Sequence, residues 1–399
     1  KNENNIHRVN INLIYCFNNM KKILVIHNKY QVEGGEDIAV QNEINLLKQR
    51  FEIETLFFDN FIDNPLKQFF FFLINRNLNS TKQFEQKLKS FKPDIVYIHN
   101  TWFKASIGIF NVLKNKDYKV LIKLHNFRYN CTKSYLRKKH FNNKNYCDSC
   151  GLNKTDAKFF NKYFKDSYLK SFLAIRYGRK LYKLLSKDDF QILVLTEFHK
   201  KFLKKNNVTS KSEVFPNYLD SIETHKTKNE NYLVYAGRIS DEKGVEELIL
   251  SFLSSDLENI KLKIIGEGPI YKKLKNKYVE DKIDFLGQLS NDETKSYISL
   301  SLGVVTATKL YEGQPTLLCE ASVLNKPSIF PDTGGISEFF PDNYPLIYKQ
   351  HDYLDLQRKI NMLSDKELVE NIGNSNKEYI NKYLDPKNLL DQFSELINE

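Results

Sequence analysis

At 399 residues, 41% of them hydrophobic and 13% aromatic, the chain has the length of two ordinary domains and the composition of a folded protein. That hydrophobic content excludes a wholly disordered chain, and the longest purely apolar run, Phe69–Ile74, is far too short to span a membrane as a helix. A net charge of +11 draws the molecule toward polyanions (nucleic acid, nucleotide phosphates or an anionic membrane face), unless it follows simply from a lysine-rich composition.

Residues 1–19 have no regular period, and an apolar run opens directly after Met20-Lys21-Lys22, so the fold is expected to begin at Met20 with 1–19 as an extension. No export-signal pattern stands at the start, and the odd set Cys16, Cys131, Cys147, Cys150 and Cys319 speaks against a disulfide framework; the expected location is the cytoplasm. Ile23–Ile26 reads as a buried parallel strand, followed by a loop with Gly34-Gly35 and a helix with Ile38, Ile44, Leu46 and Leu47 on its apolar face. Strands at Ile95–Ile98, Val120–Leu124 and Gln191–Leu195 continue the alternation, with helices at Ile107–Leu113 and from Glu197. After Pro216-Asn217 and a polar stretch the pattern restarts, with strands at Tyr232–Ala236, Leu262–Ile265, Ile283–Leu286, Gly303–Thr306 and Pro327–Phe330. The expectation is an α/β protein of two doubly wound, Rossmann-like domains, 20–216 and 217–380, whose last segment, 381–399, is a helix returning to the first domain.

In such sheets ligands collect where strands end, so the loops after strands carry the chemistry. The loop Gly237-Arg238-Ile239-Ser240-Asp241-Glu242-Lys243-Gly244 sets two cations ahead of a helix that begins its apolar face at Val245. Helix-start N–H groups favour an anion, Arg238 adds a forked donor pair and Lys243 a mobile point charge, which together suit a diphosphate. A turn with a solvated charge pair is the plain alternative. The loop Glu312-Gly313-Gln314-Pro315-Thr316-Leu317-Leu318-Cys319-Glu320-Ala321 places Pro315 at the first position of a helix, with Glu312 before it and Glu320 about two turns inside. Both carboxylates can then accept from sugar hydroxyls while the helix start faces phosphates between them.

With Ile265-Gly266-Glu267-Gly268-Pro269, Phe285-Leu286-Gly287-Gln288-Leu289 and Gly334-Gly335-Ile336-Ser337-Glu338, these segments resemble the donor domain of the family 4 glycosyltransferases, the large retaining group of GT-B architecture. The resemblance implies that Arg238 and Lys243 hold the donor diphosphate, with Gly237 in their loop. It implies that Glu312 and the backbone of Gly313, Gln314, Pro315, Thr316 and Leu317 contact the sugar and phosphates, and that Glu320 takes the ribose. Gly266 and Leu289 fall where the family holds the base, UDP or GDP being the usual carriers. Gln314 departs from the apolar or aromatic residue common at that place. In the first half, Gly34-Gly35-Glu36-Asp37 and the stretch from Leu124-His125-Asn126-Phe127-Arg128 to Cys131 resemble a subset of the same family. There the glycine pair approaches the donor phosphate and the histidine matching His125 lies beside the donor sugar. His27 and His99 also end strands.

Cys131, with the pair Cys147 and Cys150, supplies three of the four ligands of a tetrahedral zinc, which would be structural; packed or free thiols are the alternative. The chain has no Asp-x-Asp, so no cofactor is expected for catalysis itself. The aromatic run Phe57-Phe58, Phe61 and Phe69–Phe72 suits either a membrane surface or a helix buried against the sheet, and the basic, aromatic stretch from Lys158 to Lys187 reads the same two ways. No nucleic-acid recognition module occurs. The function these readings imply is retaining transfer of a hexose or hexosamine from a nucleoside-diphosphate sugar to a saccharide or lipid-linked acceptor in surface polysaccharide (capsule or lipopolysaccharide) synthesis. The rivals are a nucleotide-sugar epimerase of the same architecture and a non-catalytic two-domain binder.

Overall fold

The protein is described here by a computed structural model covering residues 20–398, apart from 31–33, 62–63, 115–117, 128–140, 142–143, 156–167, 188–189 and 221–228. Two six-stranded, wholly parallel sheets form its frame. The first runs in the order β2-β1-β3-β4-β5-β6, from β1 (Lys22–Lys29), β2 (Glu52–Asp59), β3 (Ile95–Ile98), β4 (Lys119–Leu124), β5 (Gln191–Val194) and β6 (Ser212–Val214). The second runs β12-β11-β10-β7-β8-β9, from β7 (Tyr232–Ala236), β8 (Lys261–Ile265), β9 (Ile283–Gly287), β10 (Gly303–Val305), β11 (Ser328–Pro331) and β12 (Ile347–Tyr348). Ile23, Leu24, Val25 and Ile26 are all fully buried, as a strand covered by helices on both faces requires.

Strand order reverses between β1 and β3 in one sheet and between β7 and β10 in the other. Beyond the carboxyl ends of the strands flanking such a reversal the crossovers diverge to opposite faces and leave a crevice. His27 and His99 stand at the first reversal, and Gly237–Lys243 and Thr306–Glu312 follow the strands of the second.

The helices that matter below are α1 (Gly35–Leu47), α2 (Pro65–Ile74), α3 (Leu78–Phe91), α4 (Ile109–Leu113), α5 (Tyr168–Leu185) and α6 (Glu197–Lys205) in the first half. They are followed by α7 (Val245–Leu253), α8 (Tyr271–Lys277), α9 (Asn291–Leu300), α10 (Thr316–Val323), α11 (Tyr353–Asn361), α12 (Lys366–Tyr383) and α13 (Pro386–Asn398). The last lies on the first sheet's side. Phe393 is fully buried among Phe51, Tyr97 and Phe215, with ring centroids 5.7, 5.5 and 5.4 Å away. Lys119 donates to the Leu396 carbonyl at 2.7 Å and Gln392 to that of Val214 at 2.7 Å.

Three strands carry too weak a pattern to be read in advance. β6 and β12 are three and two residues long. β2 is an edge strand with most of its side chains partly exposed, and it takes Phe57 and Phe58 away from the helix expected of the aromatic run. A ψ of 88° keeps Pro315 outside α10, at the capping position, so the helix starts at Thr316 and Glu320 lies one turn inside it, not two.

Candidate active site

The turn after β7 is shaped by backbone contacts that only glycine permits. Gly244 has φ +65°, and a Cβ there would sit 2.0 Å from the Ala307 carbonyl oxygen; a Cβ on Gly266 would come within 2.1 Å of the Gly237 oxygen. Three strand-end loops are thereby pressed together. Ile239 anchors the first from the core, donating its N–H to the Glu267 carbonyl at 2.9 Å, while Tyr235 donates its hydroxyl to the Arg238 carbonyl at 3.0 Å. Arg238 pairs with Glu242 and leaves 61% of its side chain exposed. Lys243 pairs with Glu312, both about 30% exposed, and Thr308 donates to the same Glu312 oxygen at 2.9 Å.

The geometry thus brings Lys243 and Glu312 into direct contact at the mouth of α10. Behind them, the N–H of Gly335 donates to the Glu312 carbonyl at 2.9 Å, so the Gly334-Gly335 turn braces the loop from below. Glu320 is buried on α10, and burial pushes its carboxyl up to about 7, with Lys295 pulling weakly the other way. Gly266 donates to the Gly287 carbonyl at 2.7 Å, so the loop after β8 lies against the turn that leads to Leu289, itself half-packed on the second domain's core.

Across the crevice the first domain presents histidines. His27 Nε2 pairs with Asp37 Oδ1 at 2.7 Å, and the other oxygen of Asp37 accepts from the Gly34 N–H at 3.0 Å. His99 Nδ1 and His125 Nε2 are 3.0 Å apart with their rings stacked. Burial first, then neighbouring cations and imidazoles, hold both of these pKa values well below 6.5, so each ring is neutral at pH 7. His125 Nδ1 is buried without a protein partner, although the residue keeps partial exposure at the cleft. A Cβ on Gly313 would lie 3.9 Å from the His125 carbonyl oxygen, and one on Gly35 would lie 3.7 Å from the Thr316 hydroxyl. His125, Gly35, Gly313 and the start of α10 therefore share one space.

The Gln314 side chain turns toward the joint between the domains. Its Oε1 accepts from the Asn217 N–H at 2.6 Å and its Nε2 donates to the Asn217 carbonyl at 2.9 Å. A long amide that matches the two groups of one backbone residue ties the Glu312 loop to the joint between the domains.

Two arrangements escaped sequence reasoning. Glu338 accepts from the N–H groups of Glu197 and Phe198 at 2.6 and 2.8 Å, placing a second-domain carboxylate on the N-terminus of α6. Lys123 and Glu43, both fully buried, form an ion pair that also engages the Tyr97 hydroxyl, and Lys123 donates to the Pro216 carbonyl at 3.3 Å. The hint for the second was Lys123, a lysine set between Ile122 and Leu124 inside the strand Lys119–Leu124.

Cys147 and Cys150 are buried with Phe141 and Leu152 in a small satellite core. The N–H of Gly151 donates to the Cys147 carbonyl at 2.9 Å, and the Cys150 carbonyl accepts from the Tyr311 N–H at 2.7 Å, one residue before Glu312. This knuckle of the first half braces the second-domain loop from above. Cys131 lies outside the described residues, and among those described no group of three His, Cys, Asp or Glu side chains is placed to hold a metal. Among them, too, no helix is long and apolar enough to cross a membrane.

Residues 220–379 match the family described as glycosyl transferases group 1. The matched stretch takes in the whole second sheet, from β7 to β12, and the loops that hold Arg238, Lys243, Glu312 and Glu320. Over 367 residues, 91% of this chain and 94% of the relative, the sequence is 24% identical to an uncharacterized glycosyltransferase of Methanocaldococcus jannaschii. A capsular polysaccharide biosynthesis glycosyltransferase of Staphylococcus aureus, CapM, is 30% identical over 171 residues, 40% of this chain and 44% of that one. Among solved structures, Anabaena HepE in complex with UDP-glucose superposes with a TM-score of 0.65 at 13% identity, over 94% of this chain and 99% of that one. The fold is GT-B.

Proposed function

We propose that the crevice binds a nucleoside-diphosphate sugar and transfers the hexose or hexosamine to a hydroxyl of a saccharide or lipid-linked acceptor, with retained anomeric configuration, in the synthesis of a surface polysaccharide. The observation that carries this reading is the Lys243–Glu312 pair at the mouth of α10, facing His125 and Gly35 of the other domain. A lysine held by a carboxylate is an anion site with a built-in competitor: an arriving diphosphate takes Lys243, and Glu312 is released to accept from a sugar hydroxyl. Arg238, more exposed, swings from Glu242 to the same diphosphate. Together with the free N–H groups of Thr316 and Leu317 at the start of α10, these cations stabilise the charge that develops on the leaving diphosphate.

Glu320, kept from full ionisation by burial, is suited to the paired hydroxyls of a ribose, which would replace the water it lacks. Gly266 and Leu289 border the place of the base. Neutral His125 offers its unpartnered Nδ1 to a sugar hydroxyl. In this assignment Gln314 is a strut and does not read the sugar. Zinc on Cys147, Cys150 and Cys131 would stiffen the knuckle over Tyr311; metal analysis of the purified chain decides this, about one zinc per chain supporting it and none removing it.

The test is a thermal-shift series with UDP, GDP, ADP, dTDP and CMP on the parent and on an Arg238→Ala/Lys243→Ala variant. Stabilisation of the parent by one nucleoside diphosphate, lost in the variant, is expected; a shift that survives in the variant would sink the phosphate assignment. Incubation with the matching nucleotide sugar and an acceptor then separates transfer from epimerisation, because only transfer releases nucleoside diphosphate.

A further inference from the structure

We propose that the face built by α2 and α5 of the first domain docks on an anionic membrane surface. The ten residues of α2 read Pro-Leu-Lys-Gln-Phe-Phe-Phe-Phe-Leu-Ile. Successive residues of a helix step about 100° around its axis, so four phenylalanines in a row cannot all face one core. Phe71 turns inward, and Phe72 packs on Trp102 and Tyr177 with centroids 5.2 and 6.1 Å away. The others stay outside: Leu66 is 84% exposed, Phe70 56%, Phe69 40% and Ile74 40%, with Phe61 at 70% just before the helix and Leu78 at 49% just after. Single exposed apolar residues are ordinary, but six on one short stretch make a patch. The reading of this run as a helix buried against the sheet is therefore corrected for its outer half.

Tyr177 belongs to α5, so the two helices touch through the Phe72–Tyr177 stack. The start of α5 adds Leu169 and Phe172, 55% and 50% exposed. Charge supplies the second, independent observation. Residues 64–84 contain Lys67, Arg76 and Lys82 and no acid, and residues 168–187 contain Lys170, Arg176, Arg179, Lys180, Lys183 and Lys187 and no acid. These nine cations set most of the chain's excess of +11 on two contacting segments. Two of them are close enough to interact: burial first, and then the Arg176 charge, lower the Lys180 pKa. Acids bound the two segments in sequence at Asp63, Glu85, Asp166, Asp188 and Asp189, and Asp59, beside the patch, is paired with Lys104 at 3.1 Å.

An apolar patch on two segments that carry nine cations and no acid fits one kind of surface, in which acyl chains take the phenylalanines and anionic headgroups the lysines and arginines. A second copy of this chain would bring nine cations against nine. The placement also joins the cleft. Phe72 rests on Trp102, whose N–H donates to Asn100 directly after His99, so a docked α2 holds the crevice one loop away from the lipid surface. This inference stands whether or not the crevice takes a nucleotide sugar.

The experiment is vesicle co-sedimentation of the full chain with phosphatidylcholine vesicles and with vesicles holding a third phosphatidylglycerol, at low and high salt. The parent is expected to partition on the anionic vesicles at least about tenfold more strongly than on the neutral ones, and to be released by salt. Phe69→Ser/Phe70→Ser should lower that partitioning about tenfold while keeping the parent's melting temperature and its response to nucleoside diphosphate. Arg179→Gln/Lys180→Gln should weaken only the salt-sensitive part. Equal binding to both vesicles, no binding to either, or a Phe69→Ser/Phe70→Ser variant that binds like the parent would each overturn the proposal. Light scattering showing a dimer that this variant disperses, with no vesicle binding, would assign the face to a second copy instead.

Discussion

The two walls of the crevice handle charge in opposite ways. On the second domain, Arg238, Glu242, Lys243 and Glu312 are partly exposed ions in pairs that a ligand can exchange. On the first, His99 and His125 are neutral, and the ion pair of Lys123 with Glu43 is sealed under the strand ends. Solvated pairs cost little to open, whereas buried ones cannot be opened without stranding a charge. Under the proposed function, the second wall is the one that rearranges when a ligand arrives, and the first is built beforehand to receive it.

The largest effect expected is on the sealed side. Lys123→Met leaves Glu43 buried beside Tyr97 with no cation, and should cost about 3–5 kcal/mol of stability, read as a fall in melting temperature. Adding Glu43→Gln should recover part of that loss; no recovery would mean that the pair is not the sealed unit described here.

Next comes Glu320, the one acid of the second wall that is buried. Its folded-state pKa of about 7 lies above the usual carboxylate value, so the folded state holds the proton more tightly than the unfolded chain. Its share of stability is fully present below about pH 4.5 and is lost as the pH rises through about 7. Glu320→Gln should therefore melt higher than the parent at pH 8, by up to about 3 kcal/mol, with the gap closing toward pH 4.5. A gap that stayed constant with pH would remove the titration from the explanation.

On the exchangeable side the effects are smaller and should show in binding. Lys243→Ala should weaken nucleoside diphosphate binding by about 1.5–3 kcal/mol by calorimetry, and Arg238→Ala by less, because Arg238 is the more exposed. Glu312→Gln frees Lys243 from its carboxylate, so bare diphosphate should bind more tightly while transfer falls. Weaker binding of bare diphosphate would show that Glu312 does not compete for the lysine. Smallest is Glu338→Ala, which strips the N-terminus of α6 of its carboxylate and should cost about 0.5–2 kcal/mol in melting.

Much of the frame was legible because parallel strands buried on both faces announce themselves as short β-branched runs. Ile23–Ile26 and Tyr232–Ala236 are cases in point. The loops Gly237–Gly244 and Glu312–Glu320 stood out because their residue types are rare in that order, and the structure brings Lys243 and Glu312 into contact. What stayed hidden depends on distance in sequence. Glu338 finds the N-terminus of α6 across 141 positions, Gln314 finds Asn217 across 97, and nothing local distinguishes either from a surface residue. Phe69 and Phe70 were ambiguous for another reason: an apolar run looks the same whether its far side meets a core or water, and only the packing of Phe71 and Phe72 shows which side is left over.

The return of α13 to the first sheet has a consequence for anyone who tries to cut the molecule in two. A fragment ending at residue 217 would carry all six strands of that sheet and still lack Phe393, the ring that fills the space between Phe51, Tyr97 and Phe215. The first domain is discontinuous in the chain. A stable fragment of it would have to be stitched to residues 386–398, or rescued by them as an added peptide.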